Sequence, residues 1–226
     1  MLDGFMRRLI DPPLDRAGVW LAERGVPADG LTAFGLAAGL ASAVAIVAGA
    51  DALALLLLGL SRLLDGLDGA TARGSRRTDR GGFLDIVFDF AFYGAIPLAF
   101  AIRDPAQNGV PAAVLLFSFY VNGASFLAFA AVAAKRGLES RVRGIKSIYF
   151  TAGLAEGTET ILVFVAMVLF ADAFPILAYG FAGLTLMSAL ARVSLAWSAF
   201  RDEPEAPESL RQGSLATPPV HGGEKS

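Results

Sequence analysis

Residues 63–90 read LLDGLDGATARGSRRTDRGGFLDIVFDF. The flanks of this stretch are apolar enough to be the ends of two bilayer helices, yet they carry Asp65, Asp68, Asp85 and Asp89, with Arg73, Arg76, Arg77 and Arg80 between them. Ionisable groups at the margin of hydrocarbon are costly and mark function by default. Asp65 and Asp68 stand three residues apart and Asp85 and Asp89 four apart, so each pair projects from one face of its helix. A short turn makes the two helices antiparallel neighbours in this reading, and all four carboxylates converge.

Composition supports the membrane setting. The chain has 226 residues, is 55% hydrophobic and has a mean hydropathy of +0.57, with apolar runs close to the roughly 20 residues a helix needs to cross a bilayer. An all-α integral membrane protein follows, because backbone in lipid must satisfy its own hydrogen bonds. Six transmembrane helices are expected near 30–50, 52–72, 82–102, 110–134, 147–171 and 173–200. The chain contains no cysteine, and His221 is its single histidine, in the tail. Disulfides, thiolate catalysis and zinc–thiolate sites are thereby excluded, which leaves carboxylates to carry any metal chemistry. The basic clusters fit membrane topology better than a phosphate-tracking surface, so no nucleic-acid partner is expected.

The charges also orient the chain. With the N-terminus inside, the inward loops hold Arg73, Arg76, Arg77 and Arg80, then Lys135, Arg136, Arg141, Arg143 and Lys146, while the outward loops near Asp51, Arg103–Asp104 and Asp172 hold one basic residue, Arg103. The positive-inside rule gives N-in and C-in, with the aspartates on the cytoplasmic side of a bacterial-type inner membrane. Residues 1–28 are too interrupted by charge and proline for a secretory signal. They read as one or two interfacial amphipathic helices, divided at Pro12–Pro13, the second presenting Leu14, Ala17 and Leu21, with Trp20 as an anchor. Residues 29–200 form the six-helix membrane domain, and the polar segment 201–226, rich in Pro, Glu, Ser and Gly, reads as a disordered cytoplasmic tail.

Four converging carboxylates need positive charge among them. Arg62 and Arg73 could supply it as a structural ion-pair network. Hard divalent cations such as Mg²⁺ or Mn²⁺ neutralise oxygen ligands better and leave positions for phosphate oxygens. Gly66, Gly69, Gly81 and Gly82, with the small Ala70 and Ala72, suit the close approach of a ligand or a facing backbone. Arg73 then has a phosphate or diphosphate to bind beside the metals.

The order Asp65-x-x-Asp68-Gly69-x-x-Ala72-Arg73, seven residues, Gly81-x-x-x-Asp85-x-x-x-Asp89 resembles the signature of the CDP-alcohol phosphatidyltransferases at every one of its defined positions. The resemblance extends to the six spans and the interfacial N-terminal helix, over about residues 10–200. It implies attack of an alcohol hydroxyl on the lipid-bearing phosphorus of CDP-diacylglycerol, with CMP leaving, in phospholipid biosynthesis. It further implies that Asp65, Asp68 and Asp85 hold two divalent cations (Mg²⁺ or Mn²⁺), and that Asp89 adds to the metal site and serves as the base. Asp65, Asp68, Gly69, Ala72, Arg73 and Gly81 would accommodate the cytidine diphosphate, and the chain would be a homodimer. The family often has Pro-Asn-x-Leu-Thr before its first span. Here the register reads Ala28-Asp29-Gly30-Leu31-Thr32, so Asp29 and Thr32 are candidates for the nucleotide site, with a helix N-cap as the alternative.

The acceptor side is read from two groups. Arg141, Arg143 and Lys146 are acceptor-binding candidates, suited to a phosphate-bearing alcohol such as glycerol 3-phosphate or inositol phosphate. Glu156 and Glu159, within the fifth span, are the others. They would face a hydroxyl-rich or amine-bearing acceptor or else pair with Arg192 of the sixth span, and Asn122 and Ser125 would serve as interhelical hydrogen bonds. Glycerol 3-phosphate leads among acceptors, followed by inositol phosphate, a free polar alcohol and phosphatidylglycerol. The alternative reading from another class is a divalent-cation or small-solute membrane transporter, in which the aspartates line an ion path.

Overall fold

A computed structural model describes residues 3–75, 78–136 and 157–200. These form α1 (Asp3–Glu23), α2 (Ala28–Val47), α3 (Asp51–Gly74), α4 (Asp79–Arg103), α5 (Pro105–Lys135), α6 (Gly157–Leu169), a 3₁₀ turn (Ala171–Ala173) and α7 (Phe174–Ala199), with no strand among the described residues. Four segments are long and apolar enough to cross a membrane: α2, α4, α5 and the stretch Ala171–Ala199. At 24 residues α3 has the length, but Asp51, Arg62, Asp65, Asp68 and Arg73 lower its hydropathy. The described part of the expected fifth span is the 13-residue α6; residues 147–156 lie outside the described residues.

The helix ends follow from local chemistry. Gly25 and Gly49, at φ +74° and +72°, make the left-handed turns after α1 and α2, a conformation that costs a side-chain-bearing residue more. Thr78 caps α4 by accepting from the Gly81 amide at 3.0 Å, and Asp104 caps α5 by accepting from the Gln107 amide at 3.0 Å. One residue therefore separates α4 from α5, and these two helices pack directly.

The bundle is apolar outside as well as inside. Phe34, Leu56, Tyr120, Ile176 and Trp197 are exposed on its surface, as suits helices solvated by lipid. Inside, Phe92, Ile96, Phe100, Leu115, Phe164 and Phe174 form a core, with the Phe100 and Phe174 rings stacked at 4.4 Å. Buried hydroxyls join helices. Ser42 Oγ donates to the Ala54 carbonyl at 2.8 Å and Ser61 Oγ to the Gly35 carbonyl at 2.7 Å, both tying α2 to α3.

One expectation needs correction. The backbones of α3 and α4 are not closely packed: each lies against α2, and side chains such as Arg62 and Asp89 meet in the space between them. Their facing sides carry the carboxylates, which repel at close range, so the gap between them becomes a cleft. Of the one or two N-terminal helices expected, the structure has one, α1, which runs through Pro12 and Pro13. Both prolines are exposed.

The contact face of α1 includes Gly18, which is buried, while Ala17 is exposed. A Cβ on Gly18 would sit 2.5 Å from the Ala70 carbonyl carbon and 2.7 Å from the Thr71 nitrogen, so α1 meets the backbone of α3 itself. Gly18→Ala is expected to destabilise the fold by about 1–3 kcal/mol, as overpacking does. Thermal unfolding checks this against Gly59→Ala, where nothing lies within 4 Å and no loss is expected.

Candidate active site

Three of the four aspartates come together. Asp65, Asp68 and Asp85 each offer an oxygen, and these atoms lie within 4.8 Å of one another. Asp68 is 6% exposed, and its buried Oδ2 has no hydrogen-bond partner. A buried carboxylate oxygen without a donor is costly unless something positive reaches it. Around Asp68 stand the Thr32 hydroxyl and the Gly69 amide, while Thr32 Oγ1 donates to the Ala28 carbonyl at 3.0 Å.

Asp89 adjoins this set through Arg62. Its Oδ1 accepts from Arg62 at 3.0 Å, across the gap between α4 and α3. Arg62 also lies 3.5 Å from Asp65 Oδ2. The structural ion pairing expected of Arg62 and the carboxylate cluster are thus both present, on adjoining sides of one site.

A cleft of about 320 Å³ opens beside the cluster, lined by Ala28, Asp29, Thr32, Asp68, Gly69, Ala72, Arg73, Thr78, Gly81, Gly82 and Asp85. Every residue expected at the cytidine diphosphate lines it except Asp65, which lies with the carboxylate cluster at its side. Three helix ends build its wall: the start of α2, the last turns of α3 and the start of α4. Asp29 is not a cap. The residue before α2 is Pro27, and Asp29 lies in the first turn, paired with Arg80. A Cβ on Gly81 would meet Thr78 Oγ1 at 3.1 Å and Asp29 Oδ1 at 3.2 Å, so glycine keeps that wall from crowding. Arg73 is held by Asp15 of α1, with Nε and Nη2 at 3.1 and 2.6 Å from Oδ1.

Thr78 was not singled out in the sequence. Its signal, a threonine three residues before Gly81, reads as a helix cap, and its place on the cleft follows from that cap. On the acceptor side, Arg141, Arg143, Lys146 and Glu156 lie outside the described residues. Glu159 is half-buried in the first turn of α6. Arg192 of α7 donates to Asn122 Oδ1 at 2.9 Å and Ser125 Oγ at 2.6 Å on α5, which gives these two polar residues the interhelical role expected of them.

Residues 26–200 match the sequence profile of the CDP-alcohol phosphatidyltransferases. The chain belongs to the CDP-alcohol phosphatidyltransferase family. It is therefore an integral membrane transferase of phospholipid biosynthesis, and the choice between transferase and transporter falls to the transferase. This phosphatidyltransferase is 44% identical over 200 residues to the inner membrane protein YnjF of Escherichia coli strain K12, covering 88% of this chain and 96% of that protein. Its fold is shared with the Mycobacterium tuberculosis phosphatidylinositol phosphate synthase PgsA1, solved with CDP-DAG bound. The TM-score is 0.60 at 19% identity, over 84% of this chain and 98% of that one.

Proposed function

We propose that this phosphatidyltransferase uses CDP-diacylglycerol as donor and a polar alcohol as acceptor, with glycerol 3-phosphate the leading acceptor. The observation that carries the reading is the cleft itself: Asp68, Gly69, Ala72, Arg73, Gly81 and Asp85 of the family signature line one opening beside the carboxylate cluster, and a buried Asp68 oxygen has no partner. The shared fold of a synthase solved with CDP-DAG supports the same donor. We place the site at the cytoplasmic face of a bacterial inner membrane, in six spans with α1 lying in the interface. The arginines beside the cleft support that orientation, and a homodimer is the expected assembly.

The donor set fits divalent cations. It is made of carboxylate oxygens alone, it is partly buried, and one oxygen lacks a partner, which suits Mg²⁺ or Mn²⁺. Asp65, Asp68 and Asp85 would hold them with Asp89 adding to the metal site, and such ions would neutralise charge on the diphosphate and the leaving CMP when bound. Gly69, Ala72 and Gly81 leave room for the nucleotide, and Asp29 and Thr32 border it. Arg73 is positioned to leave Asp15 for a diphosphate oxygen. Asp89 takes the proton of the acceptor hydroxyl as its oxygen bonds to the lipid-bearing phosphorus. The bond from that phosphorus to the bridging oxygen breaks, and CMP departs. Arg141, Arg143 and Lys146, with Glu156 and Glu159, bind the acceptor in this reading.

The test is product identification by mass spectrometry. Purified protein is given CDP-diacylglycerol, Mg²⁺ or Mn²⁺, and in turn glycerol 3-phosphate, inositol phosphate, inositol, serine, glycerol and phosphatidylglycerol. A new phospholipid with one of these acceptors is expected. CDP-diacylglycerol left intact with every one would overturn it as the donor.

A further inference from the structure

We propose that Asp15 of α1 is the resting counter-anion of Arg73, and that it sets the affinity of the cleft for the donor diphosphate by competing for that arginine. Asp15 lies outside the family signature. The inference rests on the reading above, in which Arg73 binds the diphosphate.

Arg73 stands at the edge between two faces of α3. Gly69 and Ala72 line the cleft with it, while Gly66, Ala70 and Gly74 meet α1. A Cβ on Gly66 would lie 2.8 Å from Leu14 Cδ1, and one on Gly74 would lie 3.3 Å from Val19 Cα. Together with Gly18 against the Ala70 backbone, these contacts pin α1 on both sides of Asp15 in the chain, and close packing of this kind leaves the helix little freedom to shift. Apolar and glycine contacts thus dock α1 by themselves. The Asp15 side chain, 50% exposed, is not needed for docking, and its place beside Arg73 calls for another reason.

The guanidinium is divided between the two sides. Nε and Nη2 both donate to Asp15 Oδ1, at 3.1 and 2.6 Å. Nη1 lies 3.5 Å from where a Gly69 Cβ would stand, so that end of the group already rests against the cleft. With the two side chains 41% and 50% exposed, water screens the ion pair, and such a carboxylate holds an arginine weakly. A diphosphate brings more negative charge and accepts from the same planar fork of donors. Because packing holds α1, the exchange is a swing of the Arg73 side chain that leaves the helix where it is. A carboxylate beside an anion-binding cleft opposes its ligand. In this arrangement the opposition has a use, since it keeps the nucleotide from being gripped as tightly as an unengaged arginine would grip it.

The experiment is a titration of CDP, with Mn²⁺ present, into purified full-length protein in detergent. Asp15→Asn is expected to tighten CDP binding about fivefold, the upper range of an exposed ion pair, because both the competition and the repulsion are relieved. A carboxylate serving structure alone would loosen CDP or leave it unchanged when replaced, so the direction of the change decides. Asp11→Asn removes the same charge one turn earlier on α1 and should move CDP affinity by less than about twofold, since a charge farther off is screened. In an Arg73→Gln background, adding Asp15→Asn should also change CDP affinity by less than about twofold, as additivity requires when Asp15 acts through Arg73. Unchanged or weaker CDP binding in Asp15→Asn, an equal gain in Asp11→Asn, or an equal gain without Arg73 would each overturn the proposal. Failure of CDP-diacylglycerol as the donor shows differently, as no CMP release by wild-type protein, and the CDP titration decides on Asp15 without any turnover.

Discussion

Asp89→Asn is expected to lower turnover by about 10²–10⁴-fold, the contribution of a placed general base, while CDP-diacylglycerol still binds. The carboxylate is bonded to Arg62 and adjoins the Asp65, Asp68 and Asp85 set. Asn keeps its shape and its oxygen for Arg62 but has no capacity to take a proton at neutral pH. The loss should therefore fall on kcat with KM little changed, the pattern of an interaction made in the transition state alone. Steady-state kinetics with the identified acceptor, beside equilibrium binding of the CDP-lipid, checks both halves. Turnover within a few-fold of wild type would remove Asp89 from the chemistry.

Asp68→Asn should behave differently. Asp68 is the most enclosed of the three clustered carboxylates, with an oxygen that has no partner. Its replacement is expected to weaken Mn²⁺ binding by more than the roughly 10–100-fold that loss of an outer-shell partner alone costs. CDP-lipid binding should weaken with it. The sign of the stability change is the opposite. In EDTA the variant should melt at a higher temperature than wild type, because the neutral amide relieves repulsion among buried carboxylates. Isothermal titration with Mn²⁺ and thermal unfolding in EDTA read these effects. A variant that loses stability while keeping Mn²⁺ would mean that the carboxylate serves packing rather than metal.

Much of this site was legible in the chain. The i, i+3 and i, i+4 spacing of the aspartates placed each pair on one helix face, and the fixed intervals from Asp65 to Asp89 carried the family. Helix spans were legible because hydrocarbon imposes length and apolarity on every crossing. The relation between α3 and α4 was not legible. A short turn fixes direction but not contact, and α2 packs against both helices. Nor did the pattern reveal that Arg62 bonds Asp89 in particular, since the bond joins residues 27 apart over a gap. Gly18 and Gly39 read only as small residues; that one meets the Ala70 backbone and the other the Phe92 ring depends on tertiary packing. Thr78 was hidden for a simpler reason, because capping and cleft lining leave the same mark in sequence.

The central claim is that metal-bound carboxylates in this cleft transfer a phosphatidyl group from a CDP-alcohol, and CMP release tests it most directly. Purified protein with CDP-diacylglycerol, Mn²⁺ and the acceptor panel should release CMP, stop on EDTA, resume on excess Mn²⁺, and stay silent in Asp68→Asn. CMP release that persists in EDTA, or that Asp68→Asn sustains at the wild-type rate, would contradict it.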